Sequence, residues 1–208
     1  MLSPRNPPKT RLTAPGRPIA QLPALEALVT RYGWLLDAKR CIECRACESA
    51  CKQWNQVDTS ANVRFRRVRV QESGTFSAPS VVALSLACNH CEEATCVKAC
   101  PMKAISRRSD GIVVIQQNLC AGCQLCAKFC PYGAPQFHTT LKKMQKCTGC
   151  YDRVDAGMSP ACATLCPTQA LQWGKWEDIQ NQGTAQVTGF SDPSLTKPAI
   201  RFLSTTWK

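Results

Sequence analysis

The sequence from Cys120 to Cys130 reads C-A-G-C-Q-L-C-A-K-F-C, and Pro131 follows it directly. Its four cysteines are spaced C-x2-C-x2-C-x3-C. The stretch from Cys41 to Cys51, C-I-E-C-R-A-C-E-S-A-C, repeats this spacing without a change. Two such runs in one chain predict two sites of the same kind, each built around cysteine sulfur.

Two further groups of four cysteines are longer versions of the same run. One is spaced C-x2-C-x4-C-x3-C and precedes Pro101, and the other is spaced C-x2-C-x11-C-x3-C and precedes Pro167. In chain order the four groups are Cys41, Cys44, Cys47 and Cys51; Cys88, Cys91, Cys96 and Cys100; Cys120, Cys123, Cys126 and Cys130; and Cys147, Cys150, Cys162 and Cys166. Together they use all 16 cysteines of the 208-residue chain.

This spacing is that of bacterial ferredoxins, in which cysteine thiolates hold [4Fe–4S] clusters. Three thiolates separated by two residues each can surround one cubane cluster. The fourth cysteine of a run ligates the neighbouring cluster in two-cluster ferredoxins. The sequence therefore predicts four [4Fe–4S] clusters and 16 metal-ligating cysteines.

Disulfides and zinc are the competing uses of many cysteines. Disulfide scaffolds are usually short secreted chains, and no N-terminal charged segment leads here into the apolar run of a secretory signal. The pairs Cys147/Cys150 and Cys162/Cys166 could form one zinc ribbon. Zinc does not explain the other groups, so a zinc-stabilised interaction module is the weaker hypothesis.

The charge and hydropathy of the chain exclude other classes. The formal net charge is +12, but an oxidised cluster with four thiolates carries about −2, so four clusters would lower the total to about +4. The basic stretch from Val63 to Val70 is interpreted as a strand with a solvated face, and no nucleic-acid partner is predicted. Apolar stretches such as Val81 to Ala87 are too short to span a bilayer.

Two pairings of the four groups are compatible with the spacing. Asp110-Gly111 followed by Ile112 to Ile115 predicts a hairpin between the second and third groups, which is the ferredoxin order. The first and fourth groups then pair with each other. The competing assignment pairs the first group with the second and the third with the fourth. Residues 131–146 contain two prolines and no clear hairpin pattern, which counts against that assignment.

Exchange of the fourth cysteine within each pair defines four predicted ligand sets. They are Cys41, Cys44, Cys47 and Cys166 for cluster 1; Cys88, Cys91, Cys96 and Cys130 for cluster 2; Cys120, Cys123, Cys126 and Cys100 for cluster 3; and Cys147, Cys150, Cys162 and Cys51 for cluster 4. His90 lies between two cysteines of cluster 2, but that cluster already has four ligands, so His90 is not predicted to be one.

The predicted fold class is α+β, with two ferredoxin-like units, one inserted into the other, and extended N- and C-terminal arms. The predicted boundaries are a Pro-rich basic arm over 1–31, an outer unit over 32–62 and 140–182, connecting strands over 63–87, an inner unit over 88–139 and an extended tail over 183–208. A short helix is predicted over 25–29 and a strand over 32–36.

No catalytic constellation accompanies the cysteines. A cluster ligated by four cysteines has no open iron site for a substrate. The sequence contains no G-x-G-x-x-G motif, no P-loop and no Ser/His/Asp arrangement. We therefore predict a carrier of electrons that is not an enzyme by itself.

Four stretches resemble a known family. They are C-I-E-C-R-A-C from Cys41, C-N-H-C-E-E from Cys88, C-P-Y-G-A-P from Cys130 and K-C-T-G-C-Y-D-R from Lys146. All resemble the iron–sulfur subunit of dimethyl sulfoxide reductase-type molybdoenzymes, over roughly residues 32–202. The resemblance implies a double ferredoxin fold, the crossed pairing and a large molybdopterin catalytic subunit with Mo or W as partner. The second electron partner would be a membrane quinone-linked anchor subunit or a soluble redox protein.

The resemblance also bears on cluster type and order. Some relatives have tryptophan in place of one cysteine of the third group and carry a three-iron cluster, whereas Cys123 is present here. Four cubane clusters are therefore implied. Cluster 1 would face the catalytic subunit and cluster 4 the opposite electron partner. A polyferredoxin subunit of a hydrogenase or aldehyde-oxidising complex is the alternative, and the cellular compartment stays open.

Overall fold

The computed structural model describes residues 30–60 and 62–204. The predicted helix over 25–29 and nearly all of the predicted N-terminal arm lie outside these residues. The described part is a mixed α+β fold made of short elements. None of its helices has the length and hydrophobicity needed to cross a bilayer.

Nine strands lie within the described residues. They are β1 Tyr32–Asp37, β2 Arg67–Thr75, β3 Ala78–Leu86, β4 Ile105–Arg107, β5 Val113–Ile115, β6 Gln136–His138, β7 Lys143–Gln145, β8 Leu171–Lys175 and β9 Ile200–Ser204. The α-helices are α1 Ala46–Trp54, α2 Thr95–Lys98, α3 Leu125–Lys128, α4 Tyr151–Asp155, α5 Ala161–Thr164 and α6 Trp176–Ile179. Apart from α1, each helix is only four or five residues long.

A three-stranded sheet joins distant parts of the chain. β1 is its central strand, antiparallel to β8 and parallel to β9, so that Trp34 lies opposite both Trp173 and Ile200. Residues at the centre of β1 are buried, which explains its nearly continuous apolar sequence Y-G-W-L-L-D. The strand predicted over 32–36 is confirmed. Just before β9, the N–H of Ala199 donates to Asn89 O at 2.9 Å and so ties the sheet to the second cysteine group.

Cysteine side chains form part of the core. Trp34 packs 4.3 Å from Trp173 between ring centroids, and its indole N–H donates to Cys88 O at 3.1 Å. The same buried cluster of residues contains Cys47 and Cys147 together with aliphatic side chains of β1, β3 and β9. Cysteine sulfur therefore occupies part of the interior, beside aliphatic and aromatic side chains.

The basic stretch over 63–70 differs from its prediction. The strand begins only at Arg67 and forms the long β2–β3 hairpin, while Val63 and Phe65 pack inward before it. Arg66 is only 2% exposed. The interpretation as a solvated strand face is therefore wrong at Arg66, whose environment is set by residues distant in the sequence.

Two small hairpins separate cysteine groups. The predicted hairpin between the second and third groups is confirmed as β4–β5, with Asp110 Oδ1 accepting the N–H of Ile112 at 3.0 Å. A second hairpin, β6–β7, lies between the third and fourth groups, where none was predicted. Its strands have three residues each, as in β4–β5, but its turn contains no Asp-Gly pair that would mark it in the sequence. A hairpin therefore follows the second cysteine group and also the third. The presence of a hairpin no longer favours pairing the second group with the third over pairing the third with the fourth.

Substituting Gly122 by Ala should destabilise the protein more than substituting Gly133 by Ala. Both glycines have positive φ, +71° and +59°, so both changes carry a left-handed penalty of about 1–2 kcal/mol. A Cβ on Gly122 would also overlap the carbonyl oxygen of Lys142, whereas nothing lies within 4 Å of one on Gly133. We expect a further ~1–3 kcal/mol for Gly122→Ala. Thermal unfolding of both variants measures the difference, and equal midpoints would contradict the steric argument.

Candidate metal centres

Each cysteine run folds as a loop that leads into a short helix. The third cysteine of each group lies in a helix: Cys47 in α1, Cys96 in α2, Cys126 in α3 and Cys162 in α5. The chain takes a left-handed conformation just before two of these helices, at Arg45 (φ 56°) and Gln124 (φ 63°). A turn of this kind reverses the direction of the chain between the loop cysteines and the cysteine in the helix.

The donor set is made of thiols. All 16 cysteines are free. Within residues 30–60 and 62–204, no three His, Cys, Asp or Glu side chains come close enough together to hold a single metal ion. A [4Fe–4S] cluster distributes its four thiolates over four irons. A wider ring of thiols is therefore the arrangement to test for.

One such ring lines a cavity between the second and third groups. Four cysteines line it: Cys88, Cys91, Cys96 and Cys130. Burial, followed by the negative charge of Cys88, raises the pKa of both Cys91 and Cys96 to about 12. Deprotonating buried thiols in this cavity needs a compensating positive charge, which the iron of a bound cluster would supply.

The first and fourth groups meet around Cys51. Asn55, one turn later, donates through Nδ2 to Cys51 Sγ at 3.8 Å and to Cys150 Sγ at 3.6 Å. Thr148 holds the amide in place, because its hydroxyl donates to Asn55 Oδ1 at 3.0 Å. Burial raises the pKa of Cys51, and the charge of Cys147 raises it further. Cys51 thus lies among cysteines that follow it by about a hundred residues.

Charge interactions also connect the first group with the fourth and the third group with the second. Burial raises the pKa of Cys41, and the charge of Cys166 in the fourth group adds to the effect. Burial, then the charges of its own group, raise the pKa of Cys126 to about 11, and Cys100 of the second group contributes as well. The last cysteine of the fourth group thus interacts with the first group, and the last cysteine of the second group interacts with the third.

Backbone N–H groups point at several sulfurs. The N–H of Gly122 and the N–H of Met144 both donate to Cys120 Sγ at 3.4 Å. The N–H of Gly149 donates to Cys147 Sγ at the same distance. Such bonds stabilise negative charge on sulfur and help to set the reduction potential of a bound cluster. The positive φ of Gly122 and Gly149, +71° and +67°, belongs to the turns that aim these groups.

His90 connects the second cysteine group with the fourth, a role that the sequence did not reveal. It is buried, and its Nδ1 accepts the N–H of Val113 at 3.0 Å, which assigns the ring proton to Nε2. That Nε2 lies 3.9 Å from Cys147 Sγ. A residue of the second cysteine group thus contacts a sulfur of the fourth group without being needed as a ligand.

Exposure differs between the rings. The cysteines predicted for cluster 4 are 2–5% exposed, which counts against the expectation that cluster 4 faces an electron partner at the surface. The exposed cysteines are Cys44 and Cys123. Apolar residues adjacent in sequence to the proposed ligands of clusters 1 and 3 are also exposed. Ile42 (60%) follows Cys41 and Leu165 (59%) precedes Cys166, both of cluster 1, and Leu119 (43%) precedes Cys120 of cluster 3.

Comparison with known proteins identifies the kind of metal centre that these cysteines form. Residues 80–176 match the family model of the 4Fe-4S dicluster domain, and residues 38–54 match that of the 4Fe-4S binding domain. The described rings and these matches define an iron–sulfur protein of ferredoxin type. The predicted [4Fe–4S] cofactors are confirmed by these matches.

Similarity to curated proteins defines the family. The sequence is 39% identical to one chain of the anaerobic dimethyl sulfoxide reductase of Escherichia coli K12, over 83% of its own length and 88% of that protein. It is 38% identical to the thiosulfate reductase electron transfer subunit of Salmonella typhi, over 74% of its own length and 81% of that protein. It is 34% identical to one subunit of the sulfite dehydrogenase of Allochromatium vinosum, over 84% of its own length and 83% of that protein. The protein belongs to the family of iron–sulfur electron-transfer subunits of dimethyl sulfoxide reductase-type oxidoreductases, as its motifs predicted.

Replacing His90 by Phe should alter at least one cluster signal, whereas replacing His138 by Phe should alter none. Both histidines are buried and accept a backbone N–H through Nδ1, at 3.0 Å and 3.2 Å. Each substitution leaves one backbone N–H without its acceptor, which should destabilise the protein by about 1–3 kcal/mol. Only His90 also contacts cysteine sulfur, that of Cys147 and that of Cys88.

Paramagnetic resonance of the two reduced variants provides the measurement. Equal losses of thermal stability with a changed line shape only in His90→Phe are the expected result. Identical spectra for His90→Phe and the wild type would show that the Cys147 contact does not influence the bound cluster.

Proposed function

We propose that this protein relays electrons within a molybdopterin oxidoreductase, between a large catalytic subunit with Mo or W and a second redox partner. One observation carries the proposal: all 16 cysteines fall into four ferredoxin-type runs, in a sequence 39% identical to one chain of an anaerobic dimethyl sulfoxide reductase. Bound [4Fe–4S] clusters supply one-electron chemistry. The protein positions the ligands, excludes water and presents surfaces to its partners, and it contributes no catalytic residue.

The proposed ligand sets are the four crossed sets predicted from the spacing. The cavity shared by Cys88, Cys91, Cys96 and Cys130 supports the set of cluster 2. The two hydrogen bonds from Asn55 support the set of cluster 4, since they connect Cys51 with Cys150. The charge interactions of Cys166 with Cys41 and of Cys100 with Cys126 support the other two sets.

The proposed organisation is one ferredoxin-like unit, residues 88–139, inserted into another, residues 32–62 and 140–182. Two groups of buried residues support it. One contains Cys47, Cys51, Cys147 and Cys162 and also reaches Cys88, whereas the other contains Cys96, Cys120 and Cys126. Antiparallel pairing of β1 with β8 supports the outer unit, because it joins the segments on either side of the insertion.

We further propose that clusters 1 and 3 form the two ends of the relay. Electron transfer between proteins requires a donor and an acceptor close to the surface, and Cys44 and Cys123 are the exposed ligands. Exposed Ile42 and Leu119 flank these two sites and provide apolar contact area for partners. Clusters 2 and 4 would then connect the ends through the interior, where His90 contacts Cys147. The catalytic subunit would dock at the cluster 1 end, as the resemblance implies.

The proposal as a whole is tested on the native complex purified without oxygen. Sixteen irons and sixteen acid-labile sulfides per chain are expected from four clusters, with broad visible absorption that dithionite bleaches. A large pterin-containing subunit should co-purify. Zinc in place of iron would favour the interaction module, and a hydrogenase or aldehyde-oxidising partner would favour the polyferredoxin alternative.

The crossed ligand sets predict different outcomes for two cysteines in one helix. Cys47 and Cys51 lie one turn apart in α1, and both are buried. Cys47→Ser should damage cluster 1, whereas Cys51→Ser should damage cluster 4. Removing either thiolate leaves three cysteines at the affected site, which favours a three-iron product or loss of that cluster.

Paramagnetic resonance during a redox titration of each variant identifies the signal that disappears. Two different signals are expected. Loss of the same signal in both variants would contradict the crossed sets and would indicate that each run holds its own cluster.

A further inference from the structure

Arg66 is a fully buried cation whose polar contacts lead to cysteine sulfur. Its Nη2 donates to Cys162 Sγ at 3.5 Å, and its Nη1 donates to Ser85 O at 3.0 Å. The guanidinium carbon lies 4.2 Å from the ring centroid of Trp34, which covers one face of the charge. The sequence placed Arg66 in a basic surface strand, so its position is a feature of the tertiary structure alone.

No carboxylate balances this charge in the part of the chain that the structure describes. The ion pairs found there involve other cations, and Arg66 Nε has no hydrogen-bond partner. A guanidinium remains protonated in proteins, and an unbalanced buried charge is strongly unfavourable. The side chain that Arg66 reaches through Nη2 is the thiol of Cys162, which a bound cluster would hold as a thiolate. Sulfur is thus the counter-charge of this arginine.

The contacts of Arg66 connect two of the proposed sites. Ser85 accepts from Arg66 through its carbonyl, and the Ser85 hydroxyl lies 3.3 Å from Cys47 Sγ. Nη2 of Arg66 therefore contacts Cys162, a proposed ligand of cluster 4. Nη1 is connected through Ser85 to Cys47, a proposed ligand of cluster 1. A single positive charge lies between the two sites of the outer unit.

We propose that Arg66 is the fixed positive charge that raises the reduction potentials of clusters 4 and 1, and of cluster 4 most. This inference rests on the proposed ligand sets. Each cluster accepts one electron from a redox partner, which makes its net charge more negative by one. Arg66 stabilises that added charge through its direct hydrogen bond to Cys162 and, more weakly, through Ser85 toward Cys47. Arg66 acts through the ligands and is a positioning residue.

The test replaces Arg66 by Gln in the full chain within its complex. Gln removes the charge and keeps a hydrogen-bond donor. We expect at least a tenfold fall in the reduced-to-oxidised ratio of one cluster at fixed potential, equal to a midpoint about 59 mV lower for a one-electron couple. The affected signal should be the one that Cys51→Ser abolishes. Unchanged midpoints in a fully loaded Arg66→Gln protein would overturn the proposal.

Two variants separate charge from general effects. Arg66→Lys keeps the positive charge and should leave the midpoint closer to that of the wild type than Arg66→Gln does. Arg69→Gln removes the same charge from an exposed position on β2 and should shift no midpoint. A shift in Arg69→Gln as large as that in Arg66→Gln would assign the effect to net charge and would also overturn the proposal.

A measurement on the wild-type protein covers the case in which Arg66→Gln does not fold. Pulsed paramagnetic resonance of protein labelled with ¹⁵N only in arginine should detect a nitrogen coupling to the reduced cluster ligated by Cys162, because Arg66 donates to that sulfur. Absence of an arginine coupling from every cluster signal would overturn the inference. Absence of all cluster signals would instead overturn the proposed function, so the two failures are distinguishable.

Discussion

The approach of cysteine sulfurs from distant parts of the chain is the constraint on which the structure depends. Most of the helices are a single turn long, and most of the sheets have two strands. Such elements bury too little apolar surface to be stable alone. Their common function is to bring sulfurs such as Cys96 and Cys162 to the end of a loop. We therefore expect folding and cofactor acquisition to be coupled, as in other small metal-dependent folds.

Electrostatics follows from the same constraint. Buried thiolates need positive charge, and iron is the main source of it. The protein adds fixed donors at selected sulfurs: the guanidinium of Arg66 at Cys162, the amide of Asn55 at Cys150 and the backbone N–H groups around Cys120. Each donor comes from a different part of the chain. The four rings thus have similar ligands and different surroundings, and unequal surroundings allow unequal reduction potentials along the relay.

The sequence predicts the parts of this structure that depend on local pattern. The cysteine spacing, the family, the strand β1 and the hairpin at Asp110 all belong to this class. The hairpin β6–β7 was missed because its turn contains no Asp-Gly pair that would mark it in the sequence. The roles of Arg66, His90 and Asn55 were missed because each depends on contacts with residues 57 to 96 positions away. No local pattern records such distances, and a basic stretch looks solvated until the partner of its arginine is known.

The parallel strand β9 has a consequence for biogenesis. It pairs with β1, and the residue before it bonds to Asn89 in the second cysteine loop. All 16 cysteines precede residue 167, whereas β9 spans Ile200–Ser204. During translation, every sulfur ligand leaves the ribosome before the strand that completes the sheet. The order of the chain therefore makes all the sulfur ligands available before β9 can pair with β1.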